Sequence, residues 1–328
     1  MSNPIPVLFC VDVEPEPRDL EIGRNEPWSG FERMVDWARE IRPRLADATG
    51  RRMRFNWFLR MDEQIKVAYG DAAWVATRYA DLLDELRSAG DAFGIHPHPW
   101  RWDDVAGRWR ADYADPSVIE DNVRTSFEAF QQAFGEPPVM NRAGDRFMSR
   151  TLLGTLRELG IEYDLTLEPG RGATSRLGDG ELTAGVIPDQ RHVPTRPYRP
   201  DPDDPLRADE GRNTDSRPWI VPMTALDPDA LLPAWRRAAR RVRHPGGPFH
   251  RPVVLFAPWD ATRFLRWVEA GIDASPTPYL SVALRSSAPL DRPMMAAVVD
   301  KFETLIRDPY ASRLTFTEPG EAIRLAVG

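Results

Sequence analysis

Cysteine is almost absent from this 328-residue chain: Cys10 stands alone, which excludes an internal disulfide and any zinc site built from several thiolates. Lysine is nearly as scarce. Lys66 and Lys301 are the only two, so 41 of the 43 basic residues are arginine, a bias read as that of a GC-rich genome; arginine is also the better residue for fixed bidentate contacts with carboxylates. No apolar run approaches the roughly 18 residues of a membrane-spanning helix. The opening stretch "MSNPIPVLFCVDVEPEPR" has no basic leader, and its apolar run is too short for a signal peptide, so the cytoplasm is the expected compartment. No repeat recurs at periods of about 20 to 50 residues, which removes solenoids and propellers. Positive charge is in deficit, with 50 acidic residues against 43 basic and a net charge of −7. That field disfavours nucleic acid and anionic membranes as partners.

What remains is an ordinary globular composition, 42% hydrophobic and 28% charged, with ample length for a core. Strand and helix patterns alternate through it. Strands are predicted at 5–14, 52–61 and just before "FGIHPHPW" (93–100), then at 138–144, 161–167, 219–226, 252–259, 279–287 and 313–319. Helices are predicted at 31–45, broken by Pro43, and at 74–90, closed by Gly90, then at 117–135, 148–160, 228–243, 260–271 and 294–308. Such alternation predicts parallel strands with crossover helices, in a single α/β domain of barrel type over residues 1–328. Between 168 and 218 periodicity is lost in a Pro-, Gly- and Asp-rich insertion, which is long enough to be either functional or disordered.

Three strand ends carry the chemistry. In the first, Cys10, Asp12 and Glu14 share one face by the two-residue period, with Phe9, Val11 and Val13 on the other. Two acids there either begin a solvated acidic loop or await a cation. In the second, His96 and His98 stand at i, i+2 beside Trp100. They form either a hydrogen-bonded loop or, with a carboxylate, a site for Zn²⁺ or another divalent ion with a position left open for water. In the third, "NRAGDRF", Arg142 can hold an anionic base, Gly144 permits a tight turn, and the alternative is a surface ion pair with Asp145.

Taken in order, these motifs resemble those of the polysaccharide deacetylases, the NodB-like carbohydrate esterases, over residues 5 to about 170. The resemblance implies a distorted (β/α)7 barrel. It also implies that Asp12 is the catalytic base and that Glu14, at a place where the family usually has aspartate, is a metal ligand with His96 and His98. Arg142 would orient the base, and Asp164, in "LGIEYDLTLEPG", would support the site, with Trp100 and Asp145 as further substrate contacts. The ion implied is Zn²⁺, or else Co²⁺, Ni²⁺ or Mn²⁺. The substrate would be a small saccharide or saccharide precursor bearing an N-acetyl group, or a related small amide.

One departure stands out. Family members carry a late histidine as general acid, and the nearest stretch here, "LFAPWD", places Ala257 at that position, with Arg285 in the next strand. His192 would substitute if the insertion folds over the rim, whereas His244 and His250 fall in a basic stretch read as an exposed helix and turn. A rival expectation follows, of a deacetylase-like protein that binds metal or carbohydrate without turnover. An amidohydrolase-type barrel fits less well, because its His-x-His pair belongs to the first strand, and here that strand carries "DVE".

Overall fold

The computed structural model describes residues 4–23, 26–177, 180–209, 211, 218–243 and 250–327. His244 lies outside them. One parallel sheet organises the molecule: β1 (Ile5–Val13), β2 (Asn56–Leu59), β3 (Ala92–Ile95), β4 (Met140–Asn141), β5 (Tyr163–Asp164), β6 (Trp219–Ile220), β7 (Leu280–Arg285) and β8 (Leu314–Phe316). The spatial order is β6-β5-β4-β3-β2-β1-β7. Residues 5–7 of β1 pair with β8 and residues 10–13 with β2, while β7 runs along residues 7–12 on the other flank. The sheet curls until the segment after β6 reaches β7, where Thr224 N–H donates to Ser281 O (2.9 Å) and Ser281 N–H to Thr224 Oγ1 (2.8 Å).

The alternation in β1 explains where the cores lie. Ile5, Val7, Phe9, Val11 and Val13 point outward into the layer beneath the helices, while Leu8 and Cys10 join a smaller inner cluster with Phe58, Met140, Leu165 and Val221. All nine residues of β1 are buried, which is why the strand reads as a near-continuous apolar run. In the outer layer Phe9 meets Trp37, Phe55 and Phe302 at centroid distances of 5.2 to 5.9 Å. Each such side chain contributes about 1.5–3 kcal/mol by leaving water. Along the inner face the next positions after Leu8 and Cys10 are Asp12 and Glu14, so the barrel interior changes from apolar to ionic at the C-terminal end of the strand.

The boundaries need some correction. Pro43 lies inside the helix Ser29–Thr49 and does not break it: the lost backbone bond is outweighed by burial of Ile41 and Leu45 on either side. The 74–90 helix is two, Trp74–Arg78 and Ala80–Ser88, divided at Tyr79, whose hydroxyl accepts from Trp28 N–H (2.7 Å). Of the strand expected at 252–259, only Arg251–Pro252 forms one, paired antiparallel with Ala225–Leu226. The insertion contains an antiparallel pair, Thr174–Arg176 with Leu182–Ile187. Not expected from the sequence were the helices Glu63–Tyr69 and Pro319–Val327 and the hairpin Trp100–Asp103 with Arg108–Ala111. Among the described residues, no helix is long and apolar enough to cross a membrane.

Candidate active site

The C-terminal ends of β1 to β4 converge on a cavity of about 520 Å³. Asp12 and Glu14, both buried, enter it from β1. Arg142, just after β4, donates from Nε to Asp12 Oδ1 (2.8 Å) and from Nη1 to the carbonyl of Leu165. The guanidinium is thus fixed by β1 and by the segment after β5 together. His96 follows β3 and keeps its backbone bond to Leu59 O (2.9 Å). Pro97 and Pro99 hold the residues before them, His96 and His98, extended, so His98 returns to the same face as His96, and its N–H is received by Asp62 Oδ2 (2.9 Å).

The two imidazoles are oriented from behind. His96 Nδ1 lies 2.5 Å from the carbonyl oxygen of Arg142, and His98 Nδ1 lies 3.1 Å from Asp145 Oδ2. Both partners only accept, so each Nδ1 carries its hydrogen, and in the neutral rings each Nε2 is left as a lone pair. Those Nε2 atoms are 3.2 Å apart, and His98 Nε2 is 3.4 Å from Glu14 Oε2. Three ligand atoms from Glu14, His96 and His98 lie within 4.8 Å of one another, all on buried residues. Two nitrogens bound tetrahedrally to one Zn²⁺ stand about 3.3 Å apart, so this donor set fits a divalent ion. Gly144 makes the room: a Cβ there would lie 2.1 Å from His98 Nε2. The tight turn is instead taken by Asp145 and Arg146, at φ 52° and 53°.

Electrostatics agree with that donor set. Burial pushes the Glu14 carboxyl up, but Arg285, His98 and His96 outweigh it and hold it well below the usual range. Burial, with help from His98 and Arg142, keeps His96 below the ordinary imidazole value and hence neutral. For His98, burial and Arg60 push down, and Asp145 with Glu14 prevails in the other direction. A field that favours a proton on His98 also favours a cation placed among these ligands. Asp145 is itself held low: burial opposes ionisation, and His98, the Tyr113 hydroxyl (2.7 Å) and Arg18 overcome it.

The structure brings together Asp12, Glu14, His96, His98, Arg142 and Asp145 at the cavity. Trp100 stands behind, its indole N–H 3.4 Å from Asp145 Oδ2, and Asp164 lies beneath the site, held by Asn141 (2.6 Å) and Thr166 (2.9 Å). His192 is exposed and lies outside the cavity lining; Ala257, half-buried, lies outside it too, and its carbonyl receives Lys301 Nζ (2.9 Å). The part of the insertion that does reach the cavity supplies Glu168, Arg171, Thr174, Arg176, Leu177 and Ile187. Sequence reasoning missed Arg60 and Asp62, which pair at 2.9 Å, with Arg60 3.5 Å from Glu14. They sit at the end of β2, and extending the strand-end rule to that strand would have found them.

No model of a known protein family matches the chain, and no curated protein matches it. Solved structures do. A protein of Parabacteroides distasonis described as a glycoside hydrolase/deacetylase aligns with 98% of this chain and 71% of its own at 12% identity, with a TM-score of 0.57. One of Pseudomonas aeruginosa PAO1 described as a polysaccharide deacetylase aligns with 98% and 90% at 13% identity and a TM-score of 0.52. The Puue allantoinase aligns with 98% and 89% at 15% identity and a TM-score of 0.50. These likenesses establish the fold alone: a distorted (β/α)7 barrel of the NodB-like kind.

Proposed function

We propose that this protein is a metal-dependent hydrolase of the deacetylase type, removing an acyl group from an N-acetylated sugar or a related small amide. The observation that carries the reading is the convergence of Glu14, His96 and His98 within 4.8 Å, next to an Asp12 already fixed by Arg142 at 2.8 Å. When bound, Zn²⁺, Co²⁺, Ni²⁺ or Mn²⁺ supplies Lewis acidity toward a carbonyl and toward water. Asp12 is the general base: Arg142 holds its Oδ1, leaving Oδ2 to accept a proton. Asp145 and the Arg142 carbonyl set the tautomers of the two histidines.

A second reading, binding without turnover, is favoured by one observation: His96 and His98 are the only histidines lining the cavity, so the described lining holds no further imidazole to protonate a leaving group. Acetate release from N-acetylated sugars, with Zn²⁺ or Co²⁺ supplied, separates the two. Turnover that falls by about 10²–10⁴ in Asp12→Asn, with metal content unchanged, supports the hydrolase. Stoichiometric metal with no release from any sugar or small amide tried supports the second.

A further inference from the structure

The chain as a whole carries a net charge of −7, yet seven arginines and only four carboxylates line the cavity. With neutral histidines its wall holds an excess of three positive charges, before any metal is added. The carboxylates are all engaged. Asp12 pairs with Arg142 (2.8 Å), Glu14 with Arg285 (2.5 Å), Asp145 with Arg18 (3.8 Å) and Glu168 with Arg171 (3.1 Å). Arg60 is already shared between Asp62 and Glu14. That leaves Arg146 and Arg176, which form no ion pair among the described residues and rest on carbonyls: Arg146 Nη2 on Gly172 O (2.9 Å) and Arg176 Nη1 on Gly180 O (2.8 Å).

Arg146 is the unusual one. Its Nη1 is buried with no hydrogen-bond partner, an arrangement that costs about 1–3 kcal/mol. Its backbone is left-handed, as is that of Asp145 before it, at about 1–2 kcal/mol per residue. Burial destabilises its charge, and repulsion from Arg171 adds to this; Glu168 and Asp145 offset it only in part, so the guanidinium is held below its ordinary value. Strain, an unpartnered Nη1 and a cation only partly compensated at a cavity wall point to a ligand that completes them. Negative charge is in deficit on this wall, and arginine's planar fork matches carboxylate and phosphate oxygens. The rest of the lining includes the apolar side chains Met223, Val254 and Phe256.

Resting on the hydrolase reading of the same site, we infer that its substrate carries an anionic group, a carboxylate or a phosphate, which Arg146 binds together with Arg171 and Arg176 while the acyl group lies toward Asp12. The irregular insertion is then the element that selects the substrate, since it supplies two of these three arginines.

The test is equilibrium binding by calorimetry at low ionic strength, with N-acetylglucosamine, N-acetylglucosamine 6-phosphate and N-acetylmuramic acid as probes. At least one anionic sugar is expected to bind about tenfold or more tighter than the neutral one, and the stronger of the two identifies phosphate or carboxylate. Arg146→Gln should remove most of that preference. Arg171→Gln should reduce it, and serves as the second variant if the strained position 146 tolerates no change. Equal binding of all three sugars, or a preference intact in both variants, overturns the inference. Asp12→Asn keeps the two proposals apart: it should lower turnover by about 10²–10⁴ and leave the anion preference in place. Anion-selective binding without any turnover in the wild type would contradict the hydrolase and leave this inference standing. Turnover with no anion preference would do the reverse.

Discussion

Arg285 Nε lies 2.5 Å from Glu14 Oε1, and the two come from adjacent strands in which Asp12 is the register partner of Arg285. The carboxylate is therefore divided: Oε1 faces a guanidinium, while Oε2 faces His98 at 3.4 Å and Arg60 at 3.5 Å. A guanidinium on one oxygen withdraws charge that a metal ion would otherwise use. Arg285→Gln is expected to tighten Co²⁺ or Zn²⁺ binding a few-fold, on the order of 1 kcal/mol for a partly exposed pair, as read by a metal titration. Weaker binding in that variant would mean that Arg285 orients Glu14 and does not compete with the ion.

Gly144 offers a steric test of the same centre. A Cβ at 144 would meet His98 Nε2 at 2.1 Å and Cε1 at 2.2 Å, so Gly144→Ala must displace the imidazole. Metal should be lost, with stability falling by about 1–3 kcal/mol from overpacking. Gly154, in the helix Arg150–Glu158, has nothing within 4 Å of its Cβ position. Gly154→Ala should leave metal content alone and raise stability by about 0.5–1 kcal/mol. Metal retained in Gly144→Ala would show that His98 is not a ligand.

Asp164 sets a pH dependence of stability. Burial raises its carboxyl from 3.8 to about 6, against the opposing bonds from Asn141 and Thr166 and the charge of Arg142. Between these values the folded state holds a proton that the unfolded chain has released, so the contribution is complete below about pH 4 and is lost as pH rises through 6. The full effect is roughly 3 kcal/mol. Urea unfolding across pH 4 to 7 should show this loss superimposed on the chain's other titrations, and Asp164→Ala should flatten it. An unchanged pH slope in Asp164→Ala would refute the assignment.

How much of this was legible in the sequence depends on local order. The face shared by Cys10, Asp12 and Glu14 follows from period two alone, and Pro97 and Pro99 keep His96 and His98 in the same alternation after β3 has ended. Arg142 was visible as an arginine at a strand end, two residues before Gly144 and ahead of a helix. By contrast β4, β5 and β6 have two residues each, too few to show a period, and their neighbours define them. The run 252–259 is apolar because Val253 and Leu255 enter the core, although the backbone there turns. Arg60 looks like a surface residue beside a Met. Its burial is tolerable only because Asp62, Gln64 and Glu14 close around it, and those are tertiary contacts. The insertion's contribution was equally hidden: nothing local distinguishes Arg171 and Arg176, which reach the cavity, from His192, which does not.

The central claim is that Glu14, His96 and His98 hold one divalent ion, and anomalous diffraction from crystals grown with Co²⁺ or Zn²⁺ tests it most directly. The expected result is a single strong peak within bonding distance of one Glu14 oxygen, His96 Nε2 and His98 Nε2, absent in His96→Ala. No peak among these three residues in the wild type, with metal in excess, would contradict it.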